Sequence, residues 1–195
     1  MARVTGTLRE GGPRRLTLSN AITLLRLVSV PFFFAALAQG SWPVACALFW
    51  LAVVTDWLDG RIARARGEST PFGGLLDHAS DASFVVAGLA ALALAGRITP
   101  VLPILVAVAF VQYVLDSRSL AGEPLRASGL GRWNGVLYFV PLGLVATREA
   151  TGLAGPSDAI VSGLAWALVA STGLSITDRA LTLLRLRHRA ARPRT

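Results

Sequence analysis

The chain contains no lysine and a single cysteine, Cys46, which lies in an apolar run. One cysteine excludes a disulfide within the chain, and in that setting it reads as a small buried hydrophobe. No grouping of Cys and His exists to hold zinc. Acidic residues are scarce, 11 against 19 basic ones, and every basic residue is arginine. Almost no segment alternates apolar and polar with period two, which argues against a transmembrane barrel. No internal repeat is detectable. The basic N-terminal segment leads into no clean small-x-small cleavage site. Residues 20–38 are therefore expected to be a retained helix and not a signal-peptide core.

What remains is apolar helix. The 195 residues are 53% hydrophobic, with a mean hydropathy of +0.58. Uncharged stretches cover Leu27–Thr55, Ala82–Gly96, Ile98–Leu115, Trp133–Thr147 and Ala159–Thr177. Several approach the length of about 20 residues that crosses a bilayer as helix. The expected fold is an all-α integral membrane protein with six transmembrane helices, at roughly 20–39, 42–64, 73–95, 98–116, 132–149 and 158–184. Residues 1–19 form a basic cytoplasmic segment, 20–184 the membrane domain and 185–195 an Arg-rich tail. Gly40-Ser41-Trp42-Pro43 breaks the first long apolar run into a hairpin. Ser19 or Asn20 is expected to cap the first helix.

A formal charge of +8 would suit nucleic acid, but the arginines sit in short segments between apolar runs. Attraction to anionic lipid is the better explanation. Arg3, Arg9, Arg14, Arg15, Arg64, Arg66, Arg118, Arg126, Arg132 and the arginines from Arg185 onward fall on one side, and only Arg97 and Arg148 on the other. That bias places both termini in the cytoplasm, and the expected location is the plasma membrane. Arg26 lies about two turns inside the first span and shares a face with Thr23. An arginine at that depth wants an acidic or phosphate partner, the alternative being that it snorkels to the headgroups.

The partners are in the sequence. Asp56, Asp59, Gly60, Ala63 and Arg64 close the second span, and Gly73, Asp77 and Asp81 open the third. The aspartates pair at i,i+3 and i,i+4, so each pair shares one side of its helix. The short turn between them, holding Pro71, makes the two helices antiparallel neighbours with converging carboxylates. Gly60 and Ala63 lack bulk, so another group can approach closely beside Asp56. Four carboxylates together would repel, and hard divalent cations such as Mg²⁺ or Mn²⁺ resolve the repulsion. Two ions about 3.5–4 Å apart would suit phosphoryl chemistry. Plain interfacial pairing of the aspartates with Arg61, Arg64 and Arg66 would balance charge, but leaves Gly60, Ala63 and Gly73 unexplained.

These eight positions, with eight residues between Arg64 and Gly73, resemble the signature of the CDP-alcohol phosphatidyltransferases. Ser19 to Arg26 followed by Pro31 resembles the first helix of the bacterial phosphatidylglycerophosphate synthase and cardiolipin synthase branch. The resemblance implies a homodimer that moves a phosphatidyl group from CDP-diacylglycerol to an alcohol, releasing CMP. It implies that Asp56, Asp59, Asp77 and Asp81 ligate two divalent ions and that Asp81 is also the general base. It implies that Gly60, Ala63, Arg64 and Gly73 line the nucleotide site, with Asp59 and Thr23 contributing.

The acceptor is read from elsewhere. A phosphorylated alcohol needs basic residues near the metals, and Arg118, Arg126 and Arg132 are the candidates, with Asp116 placed to orient Arg118. Glycerol 3-phosphate is the leading acceptor and phosphatidylglycerol the second; inositol phosphate and serine stay open. The chain departs from the synthase branch at His78 and Ala82, where Pro and Lys are common, and at Gly129–Gly135, where a basic run is usual. A cation transporter would distribute acids along a path near the bilayer centre. Here they gather at one interface, which makes transport the distant alternative.

Overall fold

The computed structural model describes residues 18–66, 71–119 and 129–190. Within them the chain is helical: α1 Leu18–Ala38, α2 Trp42–Arg66, α3 Pro71–Leu94, α4 Val101–Ser119, α5 Gly129–Leu137, α6 Phe139–Thr151 and α7 Asp158–Ala190. Windows of α1 (Ala21–Ala38), α3 (Gly74–Leu94) and α7 (Asp158–Arg185) are long and apolar enough to cross a membrane. Trp42–Leu58 and Val101–Leu115 are shorter apolar helices. Leu25, Phe32, Ile104 and Leu174 each project outward, more than 60% exposed. In water such faces would associate; in a bilayer they are the solvent contact of a multi-pass membrane protein.

The helix ends follow from local chemistry. Gly40 and Gly96 take positive φ, 69° and 70°, and their amides return to Leu37 and Ala93 while the next residues' amides return to Ala36 and Leu92. This double closure satisfies the last carbonyls of α1 and α3 and suits glycine best. Pro43 and Pro71 fall in the first turns of α2 and α3, where a missing N–H costs nothing. Helix α1 already includes Ser19 and Asn20, so neither stands outside the helix as its cap.

The expected fifth span is not one helix. It is divided at Tyr138 into α5 and α6. Pro141 explains the break, because it has no N–H for the carbonyl of Leu137 and its ring crowds that turn.

The packing order also differs from the expectation for the second and third spans. Helix α1 lies along both α3 and α2, and α6 packs on α2 and α3 from the other side. Among the described residues α2 and α3 hardly touch each other. Phe33 of α1 stacks on Phe84 of α3 with centroids 4.2 Å apart and planes 7° from parallel. Gly88 lets Phe33 and Leu142 close over α3, and Gly143 lets Phe49 of α2 lie against α6. Helix α7 packs on α4 and α5. In part it is held by polar contacts: Ser171 donates to Asn134 Oδ1 at 2.7 Å, Gln112 donates to the carbonyl of Ile176 at 3.3 Å, and Tyr138 pairs with Thr172 at 2.8 Å. Thr172 gives its own hydrogen to Leu168, so Tyr138 is the donor there.

Candidate active site

Three of the four aspartates converge. Asp56 from α2 and Asp77 and Asp81 from α3 present carboxylate oxygens that all lie within 4.8 Å of one another. Since α2 and α3 scarcely meet, a third helix must hold these groups together, and α1 does. Arg26 is only 4% exposed. Its Nη1 lies 3.1 Å from Asp56, 3.1 Å from Asp77 and 2.6 Å from Asp81. The acidic partner that Arg26 requires is thus the aspartate frame itself. One turn earlier Thr23 is buried, and its carbonyl accepts from the buried hydroxyl of Ser80 at 3.3 Å. This second tie fixes α1 to α3 beside the carboxylates.

Arg26 closes the cluster from inside, while the carboxylates open outward: the side chains of Asp81, Asp77 and Asp56 are 28%, 36% and 48% exposed. Among the described residues the ligand atoms of this group are all carboxylate oxygens. That donor set fits a hard cation such as Mg²⁺ or Mn²⁺ and does not fit zinc.

The open side faces a cavity of about 650 Å³ to which all seven helices contribute. Arg26, Asp56 and Asp81 line it. Arg132 of α5 and Arg179 of α7 line the cavity too, with His78, Gln112, Tyr113 and Ser175. Arg179 lies over the ring of Tyr113 at 5.2 Å, and His78 meets the same ring at 5.1 Å. The remaining lining is apolar, with Val85, Val106, Phe110 and Phe139 among it. The cavity therefore brings acidic and cationic side chains together in a largely apolar lining.

The other sequence candidates distribute as follows. Asp59, Gly60, Ala63 and Arg64 are on the last turns of α2, and Gly73 is in the first turn of α3. Their side-chain positions lie outside the described residues. Asp116 and Arg118 are in the last turn of α4, also without described side chains, and Arg126 lies outside the described residues altogether. Arg132 is exposed and reaches the cavity. Sequence reasoning missed Arg179 and Tyr113. Both are single polar groups inside long helices, about two turns before the end of α4 and about three before the end of α7, and only the packing of α4 on α7 brings them together.

Residues 16–176 match the family model described as CDP-alcohol phosphatidyltransferase. The chain is 32% identical to a probable phosphatidylglycerophosphate synthase of Mycobacterium tuberculosis, over 88% of this chain and 85% of that protein. It is 28% identical to a cardiolipin synthase (CMP-forming) of Oryza sativa subsp. japonica, over 89% of this chain and 60% of the rice protein. The fold is similar to that of the phosphatidylinositol phosphate synthase of M. tuberculosis in its apo form, with a TM-score of 0.59 at 21% identity over 87% of this chain and 90% of that one. The match runs through the aspartate frame and nearly the whole helical bundle, and the chain belongs to the CDP-alcohol phosphatidyltransferase family.

Proposed function

We propose that the protein transfers the phosphatidyl group of CDP-diacylglycerol to glycerol 3-phosphate, giving phosphatidylglycerophosphate and CMP. The observation that carries this reading is that Asp81, Arg132 and Arg179 line one cavity. An acceptor with a hydroxyl at one end and a phosphate at the other would meet both kinds of group there. Arginine supplies planar paired donors for phosphate and keeps its charge at every working pH. The name of the mycobacterial relative supports the same acceptor.

In this reading Asp56, Asp59, Asp77 and Asp81 hold two divalent ions, Mg²⁺ or Mn²⁺. When bound, such ions would supply positive charge to offset that of the pyrophosphate. Gly60, Ala63 and Arg64 of α2 and Gly73 of α3 line the nucleotide site, with Asp59 and Thr23 contributing. Asp81 takes the proton of the acceptor hydroxyl. That oxygen then bonds to the phosphatidyl phosphorus, and the bond from this phosphorus to the CMP oxygen breaks. Arg132 and Arg179 orient the acceptor, with Arg118 and Arg126 as further donors from the α4–α5 segment. The six-span topology, with both termini cytoplasmic in the plasma membrane, would put the aspartate end where soluble nucleotide and glycerol 3-phosphate arrive. Assembly as a homodimer belongs to the same reading.

The largely apolar lining of the cavity and the rice relative favour phosphatidylglycerol as the second acceptor. The deciding assay supplies purified protein with CDP-diacylglycerol, Mg²⁺ or Mn²⁺, and one alcohol at a time: glycerol 3-phosphate, phosphatidylglycerol, inositol phosphate or serine. Mass analysis of the lipid product is expected to show phosphatidylglycerophosphate. Turnover with phosphatidylglycerol and none with glycerol 3-phosphate would replace this acceptor with the second one.

A further inference from the structure

Helix α1 contains no acidic residue, yet it supplies the centre of the acidic site. Asp56 on one side and Asp77 and Asp81 on the other stand on helices that hardly touch, and Arg26 reaches all three from between them. We propose that Arg26 is an internal counter-ion: it assembles the carboxylates when no metal is bound and yields them as a divalent ion binds.

The charge balance motivates this. Three carboxylates within 4.8 Å of one another repel strongly in a partly desolvated site. Arg26, almost wholly buried, offsets one of the three charges. With Asp59 as the fourth ligand, the four carboxylates match the charge of the two divalent ions in the metal-site reading, so bound metal leaves Arg26 no charge to offset. Arginine cannot lose its proton here, so its charge leaves the cluster only if the guanidinium moves.

Geometry supplies the second step. A divalent ion bonded to the same oxygens would stand about 2.1 Å from each of them. A guanidinium nitrogen still 2.6–3.1 Å from those oxygens would then face the ion at short range, with like charges opposed. Arg26 is also among the residues that line the cavity, and a turn of its side chain toward that space is the movement the exchange requires. An anionic substrate group in that cavity would receive it. Arg26 is thus a positioning residue that exchanges with the metal. The proposal rests on the metal-site reading and is independent of the acceptor.

The test uses the full chain in detergent with Mn²⁺ alone and no lipid substrate. Free Mn²⁺ is followed by electron paramagnetic resonance, and stability by thermal melting. Arg26→Gln is expected to melt lower than the wild type without metal and to bind Mn²⁺ about tenfold more tightly, because a competing charge is gone. Its melting point should therefore rise further on adding Mn²⁺. Arg26→Lys keeps the charge and is expected to bind Mn²⁺ within about threefold of the wild type. Binding by Arg26→Gln that equals or falls below the wild type would overturn the exchange. If Arg26→Gln does not fold even with Mn²⁺, the wild-type structure with Mn²⁺ decides. Arg26 Nη1 should then lie beyond hydrogen-bond distance of Asp81, and an unchanged contact beside a bound ion defeats the proposal. Absence of Mn²⁺ binding to the wild type would remove both the exchange and the metal site, while the acceptor panel would still report on the reaction by itself.

Discussion

Nη1 of Arg26 lies 2.6 Å from Oδ1 of Asp81, joining the first helix to the third where both residues line the cavity. Asp81 is also the least exposed of the three converging aspartates. It thus touches the buried cation on one side and the cavity on the other, which is where a group must stand to take a proton from a bound alcohol.

Asp81→Asn tests that role. The amide still accepts a hydrogen bond from Arg26 but takes no proton and is a poorer metal ligand. CMP release is expected to fall by about 10²–10⁴-fold, while thermal melting in detergent shows a folded protein. Full activity in this variant would remove Asp81 from the chemistry.

The cationic side chains of the cavity make a separate prediction. Tyr113 carries Arg179 on one face at 5.2 Å and meets His78 at 5.1 Å. Tyr113→Leu removes the aromatic face on which Arg179 rests and loosens its placement in the cavity. The KM for glycerol 3-phosphate is expected to rise about two- to thirtyfold, which corresponds to the roughly 0.5–2 kcal/mol that a cation–aromatic contact spans. The KM for CDP-diacylglycerol should not move. Tyr113→Phe keeps the ring and should stay close to the wild type. Equal losses in both variants would show that the hydroxyl, and not the ring, is what matters.

Much of the acidic site was legible in the sequence, for a definite reason. Spacings of three and four residues place Asp56 with Asp59, and Asp77 with Asp81, on single helix faces whatever surrounds them. A buried arginine at position 26 had to find an anion, and it found three. The interposition of α1 between α2 and α3 was not legible, because uniformly apolar helices carry little pattern that ranks their neighbours. Arg179 and Tyr113 escaped notice because they are 66 positions apart, 179 less 113, and meet only through tertiary packing. The break at Tyr138 did have a signal, Pro141, which the even hydropathy of 132–149 concealed.

Gly88 offers a test of the packing that sets the α1–α3 alignment. A Cβ there would stand 2.7 Å from Phe33 Cε1 and 2.8 Å from Leu142 Cδ2, and both of those side chains are fully buried. Gly88→Ala must push one of them aside. The expected cost is about 1–3 kcal/mol, read as a lower melting temperature in detergent. An unchanged melting temperature would mean that the Phe33–Phe84 stack yields more readily than its close packing implies.

The far end of the bundle should behave differently. One oxygen of Glu149 takes Arg97 at 2.8 Å and Arg148 at 2.7 Å, and Asp158 joins both arginines. Arg97 also lies over the ring of Trp42 at 4.9 Å. The network ties the ends of α3 and α6 to the starts of α2 and α7. It stands beyond the C-terminal end of α3, roughly 20 Å along that helix from Asp81 at 1.5 Å per residue. Asp158 is well exposed and Glu149 partly so, which limits the energy of each pair through solvent screening. Glu149→Gln is expected to lower stability by about 1 kcal/mol and to leave both KM values and kcat unchanged. The stability difference should shrink in about 1 M salt, where charges are screened within about 3 Å. A large loss of turnover with little loss of stability would instead link this end of the bundle to the aspartate site.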